Sequence, residues 1–357
     1  MWNVLVFFIL LFIPIPYLIA YTFKQSHKCR IPGASQEWTL LLVLVVILCI
    51  AFFPEELSTD KFRYVRGYYW ALNGSWVEFR DYGWVLYNHY CGIVFGTNID
   101  CFFALTAILY VGSYYIWARN TFPKRYIAYF LVMSIGCLGF SNYGTNVIRA
   151  GLALSILIVA ANIRIKWYYK LLLIVVSLSF HKSMIIPVVA FLGAKSIKSE
   201  KAAGLIWLGC LLVSAMNVGL GPLFETVGFV DERVENYYSS IGEEEGGYNK
   251  GFRVDFLFYS MIPIVIAIYY LFYKKIKDAK YIFVFKMYLY SNAIWLLVIR
   301  MAYTDRIAYF SWFLIPFLCL YPAILYQKSF KSPRWIVLTF MSIFMFTNIL
   351  LSLRRFL

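Results

Sequence analysis

The chain has 357 residues, 62% of them hydrophobic, 20% aromatic and only 14% charged. A soluble domain of this size carries about 25% charge, so the composition excludes a soluble domain of useful size. The formal charge of +15 would suit nucleic acid if it were gathered on one surface, but it is parcelled out between apolar runs.

Those runs are about 15 to 20 residues long, enough to cross about 30 Å of hydrocarbon. They predict an all-α polytopic membrane protein, one transmembrane domain over 1–357. We read about twelve spans: 2–22, 38–53, 99–117, 126–142, 145–163, 167–181, 183–194, 203–220, 254–273, 281–299, 307–326 and 335–353. The first run carries no charge before Lys24. A cleaved signal needs a basic front end, so the run reads as a retained span. The segment 84–97 is apolar but short, which fits an interfacial or re-entrant helix. Runs 167–181 and 183–194 are also short, and read as a broken pair whose ends line a protein cavity.

Orientation follows from lysine and arginine. Six alternate connections hold nineteen positive charges and three acids, Glu37, Glu200 and Asp278. That side is expected to be cytoplasmic, with both termini outside. The other side has two long loops, 54–98 and 221–253, rich in charge, tyrosine and tryptophan, so the working face is expected outside. Seven scattered cysteines without C-x-x-C spacing read as free thiols rather than a metal site or disulfide framework.

Asp60, Arg63 and Tyr64 in TDKFRY, and Asp81 in RDYGW, place carboxylates beside aromatic rings. Rings cover the apolar face of a sugar and acids accept hydroxyl protons; the blander reading is an interfacial aromatic belt. Arg149 in NYGTNVIRAGLALS, Lys182 in SFHKSM, and Arg300 and Arg306 in IRMAYTDRIAYF fall at or just inside span ends on the outer side. A charge in hydrocarbon costs at least about 2.5 kcal/mol, so such cations face a cavity and a partner. Four of them near one membrane level suit a multiply charged anion, and the arginine fork matches phosphate. The alternative is snorkelling, or pairing with acids such as Asp305 and Asp255. Asn146, Asp305 and Tyr309 in the same stretches join the substrate-binding candidates. His181 is a candidate general base, since imidazole titrates near pH 6.5; the alternative is a helix-end histidine bonded to a carbonyl. Lys286 lies inside an apolar run without an evident partner. The sequence has no nucleotide-binding, H-E-x-x-H, EF-hand or G-x-S-x-G motif, and no acidic pair to hold a divalent ion. No cofactor, metal or nucleic acid is expected.

TDKFRYVRGYYW, the FRDYGW stretch and its continuation, NVIRAGLALSILIVA, LSLSFHKSMIIPVVAF and DRIAYF resemble, in order, the motifs of the EpsG-like family of Wzy-type exopolysaccharide and O-antigen polymerases. The chain departs from that pattern in two places. Asp81-Tyr82-Gly83-Trp84 stands where the family has a Glu-Pro-Gly-Phe-like turn, and Ala150 where glutamine is usual. The resemblance implies a bacterial inner-membrane glycosyltransferase of GT-C-like architecture. Such enzymes join repeat units carried on undecaprenyl pyrophosphate at the periplasmic face, with no metal, and a chain-length regulator is implied as a partner. On that reading Arg149 and Arg306 hold the pyrophosphate, Arg300 and Lys182 assist, and His181 takes the proton of the attacking hydroxyl. Asp60, Arg63, Tyr64 and Asp81 shape the sugar groove. A lipid-linked-oligosaccharide flippase, an O-antigen ligase and a scaffold subunit remain the competing readings.

Overall fold

Apolar runs broken by glycine, proline and capping residues fold here into helices, and no strand occurs among the described residues. The computed structural model describes residues 30–58, 60–74, 81–216, 251–301 and 304–353. The expected span 2–22 and nearly all of the loop 221–253 lie outside them. In chain order the helices are α1 (Gln36–Ala51), α2 (Lys61–Leu72), α3 (Tyr82–Phe95), α4 (Ile99–Thr121), α5 (Ile127–Gly136), α6 (Leu138–Thr145), α7 (Ile148–Asn162) and α8 (Trp167–Phe180). There follow α9 (Ile185–Ser196), α10 (Glu200–Ala215), α11 (Val254–Ile268), α12 (Ala279–Leu297), α13 (Asp305–Trp312), α14 (Ile315–Leu325) and α15 (Pro333–Leu353). They form two compact units, Met1–Met184 with Ala323–Leu357, and Ile185–Pro322.

Four described helical stretches are long and apolar enough to cross a membrane: Ile99–Thr121, Val254–Tyr273, Asp305–Leu325 and Pro333–Leu350. The bent pair Lys124–Gly136 and Leu138–Thr145, which turns by 78°, makes a fifth if it counts as one crossing. The chain is a membrane protein on this evidence, with four to five demonstrable spans where the sequence reading has twelve. For three of the expected spans the difference is one of length. Helices α1, α7 and α8 are apolar but short, and at about 1.5 Å per residue none covers the hydrocarbon thickness alone. The expected span 126–142 is a kinked pair broken at Cys137. The short segment 84–97 is a helix, α3, and 203–220 becomes α10, which stops at Ala215.

Short helices need their free ends satisfied. At the N-termini Ser35, Asn98, Ser199 and Asp278 each accept a backbone N–H from the first turn, as good N-caps do. At the C-termini the last carbonyls have no helical donor, and side chains from other elements supply one. Lys61 Nζ donates to the Phe53 carbonyl just beyond α1. Asn120 Nδ2 donates to Asn162 at the end of α7, and Tyr68 Oη to Gly96 just past α3. Burial pulls the Lys61 ammonium below the ordinary lysine value, while Asp100, Glu55 and Glu56 pull it back up.

Lys286 belongs to the same scheme. Its Nζ donates to the carbonyls of Ala194 and Ile197, both at 2.7 Å, and of Lys198 at 3.4 Å. A cation on three carbonyls at a helix C-terminus is favoured by the hydrogen bonds and by the helix dipole. The lysine inside the apolar run is therefore the lid on α9. Lys286→Met should lower stability by about 3 kcal/mol, the loss of charged hydrogen bonds with carbonyls left buried. Thermal unfolding of the detergent-solubilised protein measures it.

Tyrosine does similar work for prolines. Pro322 has no N–H for the Leu318 carbonyl four residues earlier, and Tyr281 Oη fills the gap at 3.0 Å. Tyr270 Oη bonds the neighbouring Cys319 carbonyl at 3.1 Å. Tyr110, Tyr270, Tyr281 and Tyr288 are all buried, so part of the aromatic content is core carrying backbone donors rather than an interfacial belt. Tyr281→Phe should cost about 1 kcal/mol in the same unfolding assay. The six described cysteines are free thiols, as their spacing predicts.

Candidate functional site

In the first unit three helix ends converge: the start of α3, the start of α7 and the end of α8. Two contacts enforce it. An added Cβ on Gly83 would stand 2.3 Å from Ser179 Oγ, 2.7 Å from Phe180 Cδ2 and 3.0 Å from the Ser179 carbonyl carbon, so α3 reaches α8 only because residue 83 has no side chain. Ser177 Oγ donates to Ala153 at 2.7 Å, joining α8 to α7. Gly151 plays the same part at the α6–α7 junction, where a Cβ would meet the Tyr143 carbonyl oxygen at 2.3 Å. Rings fill the space above: Trp84 and Tyr87 of α3 pack on Phe180, and Tyr64 of α2 packs edge-on against Trp84 at 5.5 Å.

Asp81 opens α3. Its carbonyl accepts the N–H groups of Trp84 and Val85, and its carboxylate turns to Arg149, with Nη1 and Oδ2 2.9 Å apart. Asp81 is buried, whereas the Arg149 side chain keeps 28% of its exposure. Arg149 sits in the first turn of α7, which has no side-chain cap. Its Nε is buried and has no hydrogen-bond partner among the described residues. The site thus has one arginine half-committed to a carboxylate, at a helix N-terminus whose partial positive charge favours anions.

His181 ends α8 in an extended conformation, and the turn Lys182–Met184 follows, packed against both α8 and α7. The imidazole folds back on that turn: Nδ1 accepts the Ser183 N–H at 3.2 Å. Lys182 is exposed at the turn. Asp60 and Arg63 form a loose pair at 3.4 Å across the first turn of α2. Ser58 Oγ, next to them, donates to the Thr145 carbonyl at 3.0 Å, beside Asn146. Asn146 itself donates to Asn142 at 2.8 Å. The first-unit candidates Asp60, Arg63, Tyr64, Asp81, Asn146, Arg149, His181 and Lys182 therefore sit on elements in contact with one another.

The remaining candidates belong to the second unit. Arg300 Nη2 reaches the Ser214 carbonyl of α10 at 3.4 Å, its guanidinium lies over Phe252, and its Nε is buried without a partner among the described residues. Asp305 is buried and accepts a hydrogen bond from Tyr309 Oη at 2.8 Å, one helical turn on. Arg306 stands between them in α13. Asn292 braces this helix: it accepts from Trp207 Nε1 at 2.8 Å and donates to Ser311 Oγ at 3.0 Å. Asp255 is held by Arg253 in a bidentate pair, at 2.9 and 2.6 Å. Among the described residues no group of three or more His, Cys, Asp or Glu is arranged for a metal ion.

The motif order, the helical membrane architecture and the polar cluster at the α3, α7 and α8 ends can now be set beside known proteins. The EpsG family profile matches residues 37–356, nearly the whole chain. The chain belongs to the EpsG family. Comparison with curated proteins and with solved structures gave no match. Membership in the EpsG family carries a role of the polysaccharide-polymerase type. The match takes in every residue of the cluster just described. Gly83 and Ser183 are the site residues that sequence reasoning passed over. The glycine was visible in the RDYGW turn, but the backbone it touches, 96 positions away, was not.

Proposed function

We propose that this EpsG-family chain joins undecaprenyl-pyrophosphate-linked oligosaccharide repeat units into O-antigen or exopolysaccharide at the periplasmic face of the bacterial inner membrane. The observation that carries the reading is the Asp81–Arg149 pair at the meeting of three helix ends, with the arginine Nε left unsatisfied among the described residues. A pyrophosphate brings several anionic oxygens and leaves with increased charge. An arginine at a helix N-terminus meets both needs, and stabilising charge that grows in the transition state is commonly the largest catalytic contribution. The donor is already activated, so neither nucleotide nor metal is called for. Lys182 adds positive charge on the adjoining turn. Tyr64 and the Asp60–Arg63 pair supply the ring, the hydrogen-bond acceptor and the donor suited to sugar hydroxyls. Arg300 and Arg306 are the second unit's cations suited to phosphate, and Asp305 with Tyr309 orients that helix. A chain-length regulator is the partner this role calls for.

The test is polymer length in a strain lacking the native gene, complemented with wild type, His181→Ala, Arg149→Ala or Arg306→Ala at matched membrane levels. Ladders should collapse to single repeat units still displayed outside. Loss of the exported unit itself would point to a flippase, and full-length polymer from all three variants would end the reading.

A further inference from the structure

Helix α2 has two unlike faces. Lys61, Gly67, Tyr68 and Ala71 are buried, while Phe62, Arg63, Arg66 and Trp70 are exposed. Phe62, Arg66 and Trp70 follow at four-residue steps, so they stand in one row. Phe62 is 44% and Trp70 43% exposed. The Arg66 guanidinium lies over both rings, 6.0 Å from the centroid of Phe62 and 5.3 Å from that of Trp70. It forms no ion pair among the described residues. Arg63, at the edge of the row, lies 5.5 Å over Phe62 and is loosely held by Asp60. The adjoining α3 is different. His89 Nδ1 lies 3.2 Å from the Ala71 carbonyl oxygen, joining α3 to α2. Yet the exposed residues of α3 are Tyr82, Leu86, Tyr90, Ile93 and Val94, none of them charged.

We propose that α2 lies along the membrane surface and docks its outer row on the phosphates of the bilayer's anionic phospholipids. Its 12 residues span about 18 Å, too short for about 30 Å of hydrocarbon. Two arginines on the outward face keep that face out of hydrocarbon, and the large rings beside them favour leaving water. The headgroup layer suits both, and it is where the aromatic rings and cations of interfacial helices collect. The uncharged outer face of α3 suits acyl chains, so the hydrocarbon boundary runs between the two helices. Charge selects the lipid: Arg66 answers a headgroup of net negative charge, as in phosphatidylglycerol. The inner side of α2 sets Tyr64 against Trp84, and Ser58, just before the helix, bonds Thr145. Docking therefore holds the polar cluster near the level of the lipid phosphates. The assignment depends on the membrane architecture and not on the polymerase reading.

Photocrosslinking identifies the occupant directly. The full-length protein, with benzoylphenylalanine replacing Trp70 so that a large ring remains, would be placed in nanodiscs of phosphatidylcholine and phosphatidylglycerol with undecaprenyl pyrophosphate added. After irradiation the captured molecule is identified by mass spectrometry. Phosphatidylglycerol should be captured about fivefold above its share of the bilayer, the worth of one cation at an anionic surface, and the excess should shrink as salt is raised. Arg66→Gln should bring capture down to the bilayer share, and Arg66→Lys, which keeps the charge, should keep most of the excess. The same probe replacing Ile93 should capture the two phospholipids in bilayer proportion. Capture in bilayer proportion at position 70 would overturn the proposal. So would capture there of undecaprenyl pyrophosphate ahead of phospholipid, of a second copy of the chain, or of no lipid at all.

Discussion

Arg149→Ala is expected to abolish polymer formation in practice, with kcat falling about 10²–10³-fold from the loss of one transition-state charge contact. Arg149→Lys should recover little. A lysine presents a point charge and cannot reproduce the planar fork that serves a carboxylate and a phosphate together. The alanine variant should also lose stability, because a buried Asp81 then has lost its cation. Breaking such a pair costs about 3–5 kcal/mol when both members are fully buried, and less here, since Arg149 is partly exposed. Adding Asp81→Asn to Arg149→Ala removes the stranded charge. The double variant should regain thermal stability, which assigns the stability loss to the stranded carboxylate and leaves the loss of polymer per folded Arg149→Ala molecule as the measure of catalysis. Polymer from Arg149→Ala that is normal per folded molecule would argue for structure alone.

Gly83→Ala is expected to cost activity of similar size without touching a charged group. The new methyl would meet Ser179 Oγ at 2.3 Å and the Ser179 carbonyl carbon at 3.0 Å. The hydroxyl can rotate, at the expense of its hydrogen bond to Val176; the backbone cannot. Helix α3 must shift away from α8, taking Asp81 with it. A displacement near 1 Å at a reacting group costs about 10²-fold in rate. Overpacking of this kind also costs about 1–3 kcal/mol in stability. Gly83→Ala should therefore fold, melt lower and polymerise poorly, and adding Ser179→Ala should restore part of both properties. Polymer yield per folded molecule, with thermal melting alongside, measures it. Normal polymer from Gly83→Ala would mean that the α3–α8 approach does not set the site.

The same two residues mark where reading the sequence succeeds and where it stops. Arg149 was legible because a cation beside an apolar run is costly unless it has a partner, whatever the fold. Its partner was not. Asp81 read as a sugar-groove acid, and only the meeting of α3 with α7 pairs it with Arg149. His181 stood out as one of three histidines, but its tautomer depends on a backbone N–H two residues on that turns back only because the helix ends there. Lys286 had no account as a residue in a run, since the three carbonyls it closes are about ninety positions away.

Composition and hydropathy by themselves determined that this is a helical membrane protein, and the order of short motifs determined its family. Both are properties of local sequence: burial in hydrocarbon demands long apolar runs with internally bonded backbone, and motifs are read in line. The number of full crossings was not determined in this way. A run of apolar residues says that a segment avoids water, not that it continues straight, and near the break at Cys137 and at the ends of the short α1 and α7 the carbonyls are met by side chains from other elements. The tertiary structure alone decided which charge answers which, because pairing is set by the close approach of helices at Gly83 and Gly151, a contact between positions that the chain keeps far apart.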